Sequence, residues 1–163
     1  MVAKAALAAT VGGGISVCSI TLLQAAFSHW GFAQNYDGQK NGLFRTALTS
    51  GRLKGPMLVT HSIQDRAVGL AYPIASRLRQ QVASGIGDAN DPYGGIGRNG
   101  ALLTPEVDPS NNLLLGTTQP YAPFVSGRVY NLNGDANILS HGNVDTPFTA
   151  HVILAAILGA QQQ

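Results

Sequence analysis

Three short stretches of the chain carry the apolar pattern of strands. Ile15 to Phe27 mixes β-branched and apolar residues, with Val17, Ile20, Leu22 and Leu23 close enough together to predict a buried strand over 16–26. Pro56 can open a strand but not sit inside one, and Met57 to Val59 is a continuous apolar run. A second strand is therefore predicted over 56–62, covered on both faces. Arg128 to Leu132 is the third, and it stops at the turn residues Asn133-Gly134-Asp135.

Helical spacing alternates with these strands. Val68, Leu70, Ala71, Ile74, Ala75, Leu78 and Val82 recur at intervals of three and four, which predicts a helix over 67–82 with Arg77, Arg79 and Gln80 on its polar face. Residues 2–11 are Ala-rich and stop at Gly12-Gly13-Gly14, as the tail of a helix does. The segment from Ser28 to Leu53 is punctuated by Gly31, Asn35, Asp37, Gly38, Asn41 and Gly42. It reads as an excursion over the sheet with a helical turn around Leu43–Ser50. Thr146-Pro147 is a helix start, a hydroxyl cap followed by proline at the first helical position, and Phe148 to Leu158 supplies the apolar face of a closing helix. Residues 84–125, rich in Gly, Asn and Pro, form a long loop of the kind that covers a site.

This alternation predicts an α/β fold built on a parallel sheet, in a single domain over 1–163. Three strands make a small sheet, and the helix at 2–11 has no strand ahead of it. The expectation is an incomplete domain that begins partway through a larger fold.

Composition narrows the function classes. Only 11% of the 163 residues are charged and 20 are glycine, which excludes a coiled coil and a charge-driven disordered tail. The net charge is +2, and the basic residues are spread rather than clustered, so nucleic-acid binding gains no support. No Asp, Glu, Lys or Arg occurs from Ala5 to Tyr36. That run is broken by Gly12-Gly13-Gly14, Ser16, Ser19, Thr21 and Gln24, and its apolar pieces fall short of the ~20 residues a membrane span needs. No membrane span or signal peptide is expected; the compartment stays open, with the cytoplasm as the default. Cys18 is the sole cysteine, so no intrachain disulfide can form.

The candidate chemistry lies at two strand ends. The second strand runs into Thr60-His61-Ser62-Ile63-Gln64-Asp65 and then a helix. The third runs into Asn133-Gly134-Asp135-Ala136-Asn137-Ile138-Leu139-Ser140-His141-Gly142 and then the last helix. This arrangement resembles the C-terminal half of an α/β-hydrolase, its last three strands with their flanking helices, over residues 1–160. The resemblance implies a serine hydrolase acting on an ester or similar acyl bond, with Asp65 as the triad acid and His141 as the base it orients. Read without the resemblance, Asp65 is a helix N-cap, accepting backbone N–H bonds for about 1 kcal/mol, and His141 is a loop histidine.

The nucleophile that the resemblance requires, on a Gly-x-Ser-x-Gly turn, does not occur in the sequence. Ser16, in Gly14-Ile15-Ser16-Val17-Cys18, lacks the second glycine and enters a strand rather than leaving one. By analogy with the family, residues 2–11 match the helix after that turn, and the serine would lie upstream of Met1. The chain would then carry acid and base but no nucleophile, and would be inactive alone. His29, His61 and His151 are read as structural. No metal is expected, because no His-x-x-x-His or acidic cluster appears, and no cofactor is expected either.

Gly95-Ile96-Gly97-Arg98-Asn99-Gly100 satisfies the dinucleotide fingerprint Gly-x-Gly-x-x-Gly, but Ala89-Asn90-Asp91-Pro92-Tyr93 ahead of it is no strand and Thr104-Pro105 soon interrupts. It reads as a glycine-rich loop. An alternative from a different class is a non-catalytic interaction module with a hydrolase-like half-fold. Its strand at 16–26 would expose an unpaired edge and self-associate.

Overall fold

The computed structural model describes residues 15–71 and 93–160. The helix expected at 2–11, most of that expected over 67–82 and the first part of the 84–125 loop lie outside the described residues.

Three strands form one parallel sheet in the order β1-β2-β3: β1 is Ile20–Leu23, β2 is Met57–His61 and β3 is Val129–Asn133. Ile20 pairs with Met57 and Leu23 with Thr60 across the first ladder, and Met57 with Val129 and His61 with Asn133 across the second. The broad class read from the sequence, a parallel sheet with helices, is the observed one. As expected for parallel strands, both faces of the sheet are covered. Met57, Val59 and Val129 turn to one core with Leu22, Phe32, Phe44 and Ile96, while Leu58, Tyr130 and Leu132 turn to a second with Phe124, Ile138, Val152 and Ala156. Alternation along each strand thus divides one apolar run between two layers.

The first layer comes from the excursion after β1. Its helical turn α1 is Arg45–Thr49, inside the predicted span. Phe27 meets both Phe32 and Phe44 edge-on, with ring centroids 5.9 and 5.0 Å apart, and Arg45 grips both carboxylate oxygens of Glu106. The second layer is the closing helix, which we label α3, Pro147–Ala160. The Thr149 amide donates to the Thr146 hydroxyl at 3.3 Å, and the Thr146 amide donates back to the Thr149 hydroxyl at 3.1 Å. This reciprocal capping explains why the helix starts at Pro147. Val152 and Ala156 are buried, whereas Leu154, Ile157 and Leu158 on the opposite side are exposed.

Two expectations are corrected. β1 is much shorter than 16–26: Val17 makes only an isolated bridge to Leu53, and the strand stops at Gln24, which takes a left-handed φ of 44°. There the Gln24 amide leaves the ladder to donate to the Thr60 hydroxyl at 3.2 Å. The described part of the 84–125 loop is not structureless either. It contains the helical turn α2, Ile96–Asn99, and then runs along the outer edge of β3, with parallel bridges from Val107 to Val129 and from Leu113 to Asn133. The outer edge of β3 is therefore paired at both ends, whereas β1 pairs with β2 alone among the described residues.

Candidate functional site

The segment after β2 folds into a tight turn because its polar groups have nowhere else to bond. The Ser62 amide donates to the Gly97 carbonyl at 3.0 Å, the Asp65 amide to the Ser62 carbonyl at 3.1 Å, and the Ser62 hydroxyl to the Ile138 carbonyl at 2.8 Å. The Ile63 amide donates to Asp135 Oδ1 at 2.8 Å. The turn is thereby tied to the loop leaving β3. Asp65 is fully buried, 0% exposed.

The loop after β3 is organised by its own short bonds. The Gly134 amide donates to the His61 carbonyl at 2.8 Å, continuing the ladder one step, and the Asp135 amide donates to Asn133 Oδ1 at 2.8 Å, an Asx turn. Ile138, fully buried, plugs the second core, and the Leu139 and Asn143 amides donate to Asn143 Oδ1 and the Ser140 carbonyl at 3.2 and 3.1 Å. His141 sits in that last turn.

The two sequence-predicted residues meet here. His141 Nδ1 lies 2.8 Å from Asp65 Oδ2, across a separation of 76 residues. The remaining carboxylate positions are also filled. Oδ1 accepts the Val68 amide at 2.9 Å, and Oδ2 additionally accepts Gln24 Nε2 at 3.1 Å. The N-cap reading of Asp65 and the pairing with His141 are therefore both realised, one through each oxygen. Val68 lies in the first turn of a wide π-type helix, Ala67–Ala71, and the Gly69 amide donates to the Asp65 carbonyl at 2.8 Å.

Chemically, the pattern assigns a tautomer. An ionised carboxylate offers only acceptors, so beside it the shared proton sits on His141 Nδ1, and Nε2 points away from Asp65. The His141 side chain is 46% exposed while the carboxylate is buried. The imidazole thus presents one face to solvent and the other to a carboxylate in the protein interior.

The other histidines lie in different environments. His29 is fully buried, with Nδ1 3.0 Å from Asn99 Nδ2. His61 ends β2; burial pushes its imidazole below the usual histidine value, against the opposing pull of the Asp135 charge and a bond to the Arg98 backbone. His151, on α3, packs against the Tyr121 ring with centroids 5.4 Å apart. Ser16 is exposed and precedes the N-terminal end of β1, the opposite end of the sheet from Asp65. Among the described residues no group of three His, Cys, Asp or Glu side chains is placed to hold a metal ion, and no helix is long and apolar enough to cross a membrane. A cavity of about 430 Å³ lies along the β3 exit, lined by Leu113, Asn133, Asp135, Asn137 and Phe148; neither Asp65 nor His141 lines it.

Gln24 is the site residue that sequence reasoning missed. Its one signal is position, a carboxamide at the end of an apolar strand adjoining the strand that delivers Asp65. No protein-family model matches the chain, nor does any curated protein or solved structure, so the reading of the site rests on its own geometry.

Proposed function

We propose that Asp65 and His141 are the acid and base of an acyl-transfer centre of the α/β-hydrolase kind, acting on an ester or a similar acyl bond. In this reading His141 Nε2 removes the proton from a serine hydroxyl, and Asp65 holds the ring and stabilises the imidazolium that forms. The observation that carries it is the 2.8 Å contact between His141 Nδ1 and a buried carboxylate oxygen, made from the C-terminal ends of neighbouring parallel strands. That is the end of an α/β sheet where ligands and chemistry gather. The sequence contains no Gly-x-Ser-x-Gly turn, and in this reading the serine and the oxyanion donors are supplied from elsewhere.

A fluorophosphonate probe, which labels activated serines, tests this directly. The chain as given should remain unlabelled, and a form extended upstream in its reading frame should be labelled in a manner that His141→Gln abolishes. An unlabelled extended form would refute the reading. Labelling of the chain as given would place the nucleophile on one of its own serines.

A second reading, a non-catalytic module that pairs through its sheet edge, is favoured by one observation: β1 has no strand neighbour but β2 among the described residues. It expects self-association in light scattering at micromolar concentration, and a clean monomer would count against it.

A further inference from the structure

We infer that Gln24 is a positioning residue for the Asp65–His141 pair, and that Gly97, within Gly95-Ile96-Gly97-Arg98-Asn99-Gly100, is the glycine that seats it. This rests on the acid–base reading above and names what holds that pair in register.

The Gln24 carboxamide is 1% exposed. Nε2 donates to Asp65 Oδ2 at 3.1 Å and to the Gly97 carbonyl at 3.0 Å, while Oε1 accepts the Thr60 hydroxyl at 3.2 Å. Both donors are used, and the amide cannot flip without setting its oxygen against a carboxylate and a carbonyl. The two acceptors fix which end of the amide faces Asp65, and the Thr60 hydroxyl, which also lies 3.4 Å from the Leu22 carbonyl, supports its oxygen end. With one Gln24 proton already on Oδ2, the imidazole is met by an oriented carboxylate and holds its own proton on Nδ1.

The glycines follow from the same close approach. A Cβ on Gly97 would stand 2.6 Å from the Gln24 carbonyl carbon and 2.9 Å from the Ala25 nitrogen, so only glycine lets this carbonyl reach Gln24 and the Ser62 amide. A Cβ on Gly95 would overlap the Val68 side chain, beside the amide that caps Asp65. Gly100 has a φ of 75°, and a Cβ there would stand 2.8 Å from Asn131 Cγ. Each glycine admits a neighbour from another part of the chain: Gly97 and Gly95 pack beside Gln24 and Val68, the two residues that donate to Asp65, and Gly100 beside Asn131.

The test uses the full chain, isotopically labelled, with nitrogen–proton correlation of the His141 ring to follow the Nδ1 proton that faces Asp65. In Gln24→Met and in Thr60→Val the carboxylate keeps its acceptors but loses its tether, so exchange of that proton with water should quicken about threefold or more. Unchanged exchange in variants whose backbone spectra show the native fold would overturn the inference. So would Gln24 Nε2 protons in the unaltered chain that exchange with water as fast as those of an exposed glutamine, a measurement needing no variant. Neither readout depends on an active enzyme, so serine labelling can fail while Gln24 still steadies the pair, and the reverse.

Discussion

Replacing Asp65 with asparagine separates the two duties of that side chain and measures both. The carboxylate accepts three bonds in the interior: the Val68 amide on Oδ1, and Gln24 Nε2 and His141 Nδ1 on Oδ2. Asparagine offers one acceptor oxygen and one pair of donors. In its better orientation the oxygen faces Gln24 and His141, and the new amino group confronts the Val68 N–H. The helix start then loses its cap, about 1 kcal/mol, and a buried donor goes unmet, about 1–3 kcal/mol. Neutralising the acceptor also weakens the bonds to Gln24 and His141, since hydrogen bonds to charged groups are worth roughly twice neutral ones. The expected loss is about 3 kcal/mol, and the flipped orientation, with two donors facing an amino group, is worse. Urea denaturation reads this as a drop in midpoint of roughly 1–2 M at the slope usual for a small domain. His141→Ala is the internal control. Its side chain is 46% exposed and Asp65 keeps its other two donors, so the cost should stay below about 1 kcal/mol. A loss under about 1 kcal/mol for Asp65→Asn, or equal losses for the two variants, would refute the claim that the carboxylate is held by the interior rather than by its histidine.

Two further expectations follow from the same neighbourhood. Gly97→Ala forces a methyl group against the Gln24 and Ala25 backbone, which cannot swing aside as a side chain would; stability in urea should fall by about 1–3 kcal/mol or more, whereas Gly51→Ala, at a φ of 69° but with open space around it, should show backbone strain alone. Burial holds His61 below the ordinary histidine value, so between that lowered value and about 6.5 the unfolded chain binds a proton that the folded chain does not. Stability should therefore be full above about 6.5 and decline as pH falls through that window, and the decline should shrink in His61→Gln; a slope unaltered by that change would show that another group drives it.

Strand β2 was legible from the continuous apolar run after Pro56, and β3 from the short stretch Val129 to Leu132 stopped by the turn residues Asn133-Gly134-Asp135. β1 was overestimated, since the apolar pattern continues past Leu23 while the backbone turns at Gln24 to satisfy Thr60 and Asp65. That turn is decided by partners 36 and 41 residues away, which no local window contains. Similarly, the glycine run was legible as something other than a dinucleotide loop, but its short helix and purpose depend on the shapes of Gln24, Val68 and Asn131 across the fold. Asp65 and His141 could be named only through the α/β-hydrolase resemblance that their places after two strands carry; position alone reads them as a helix cap and a loop histidine. Gln24 could not, because a lone glutamine in a charge-poor segment is indistinguishable from one that merely interrupts an apolar run.

The double use of Asp65 has a consequence for descent. A lineage that lost the chemistry would still need an acceptor beneath Val68 and Gln24, so the acid would be kept by folding alone. His141, half in solvent and joined to the interior by a single bond, has no such protection and would drift to whatever a surface turn tolerates. Among related sequences, retention of the aspartate would therefore testify only to the fold. On the reading proposed above, the histidine is the residue whose persistence would record selection for the acid–base pair.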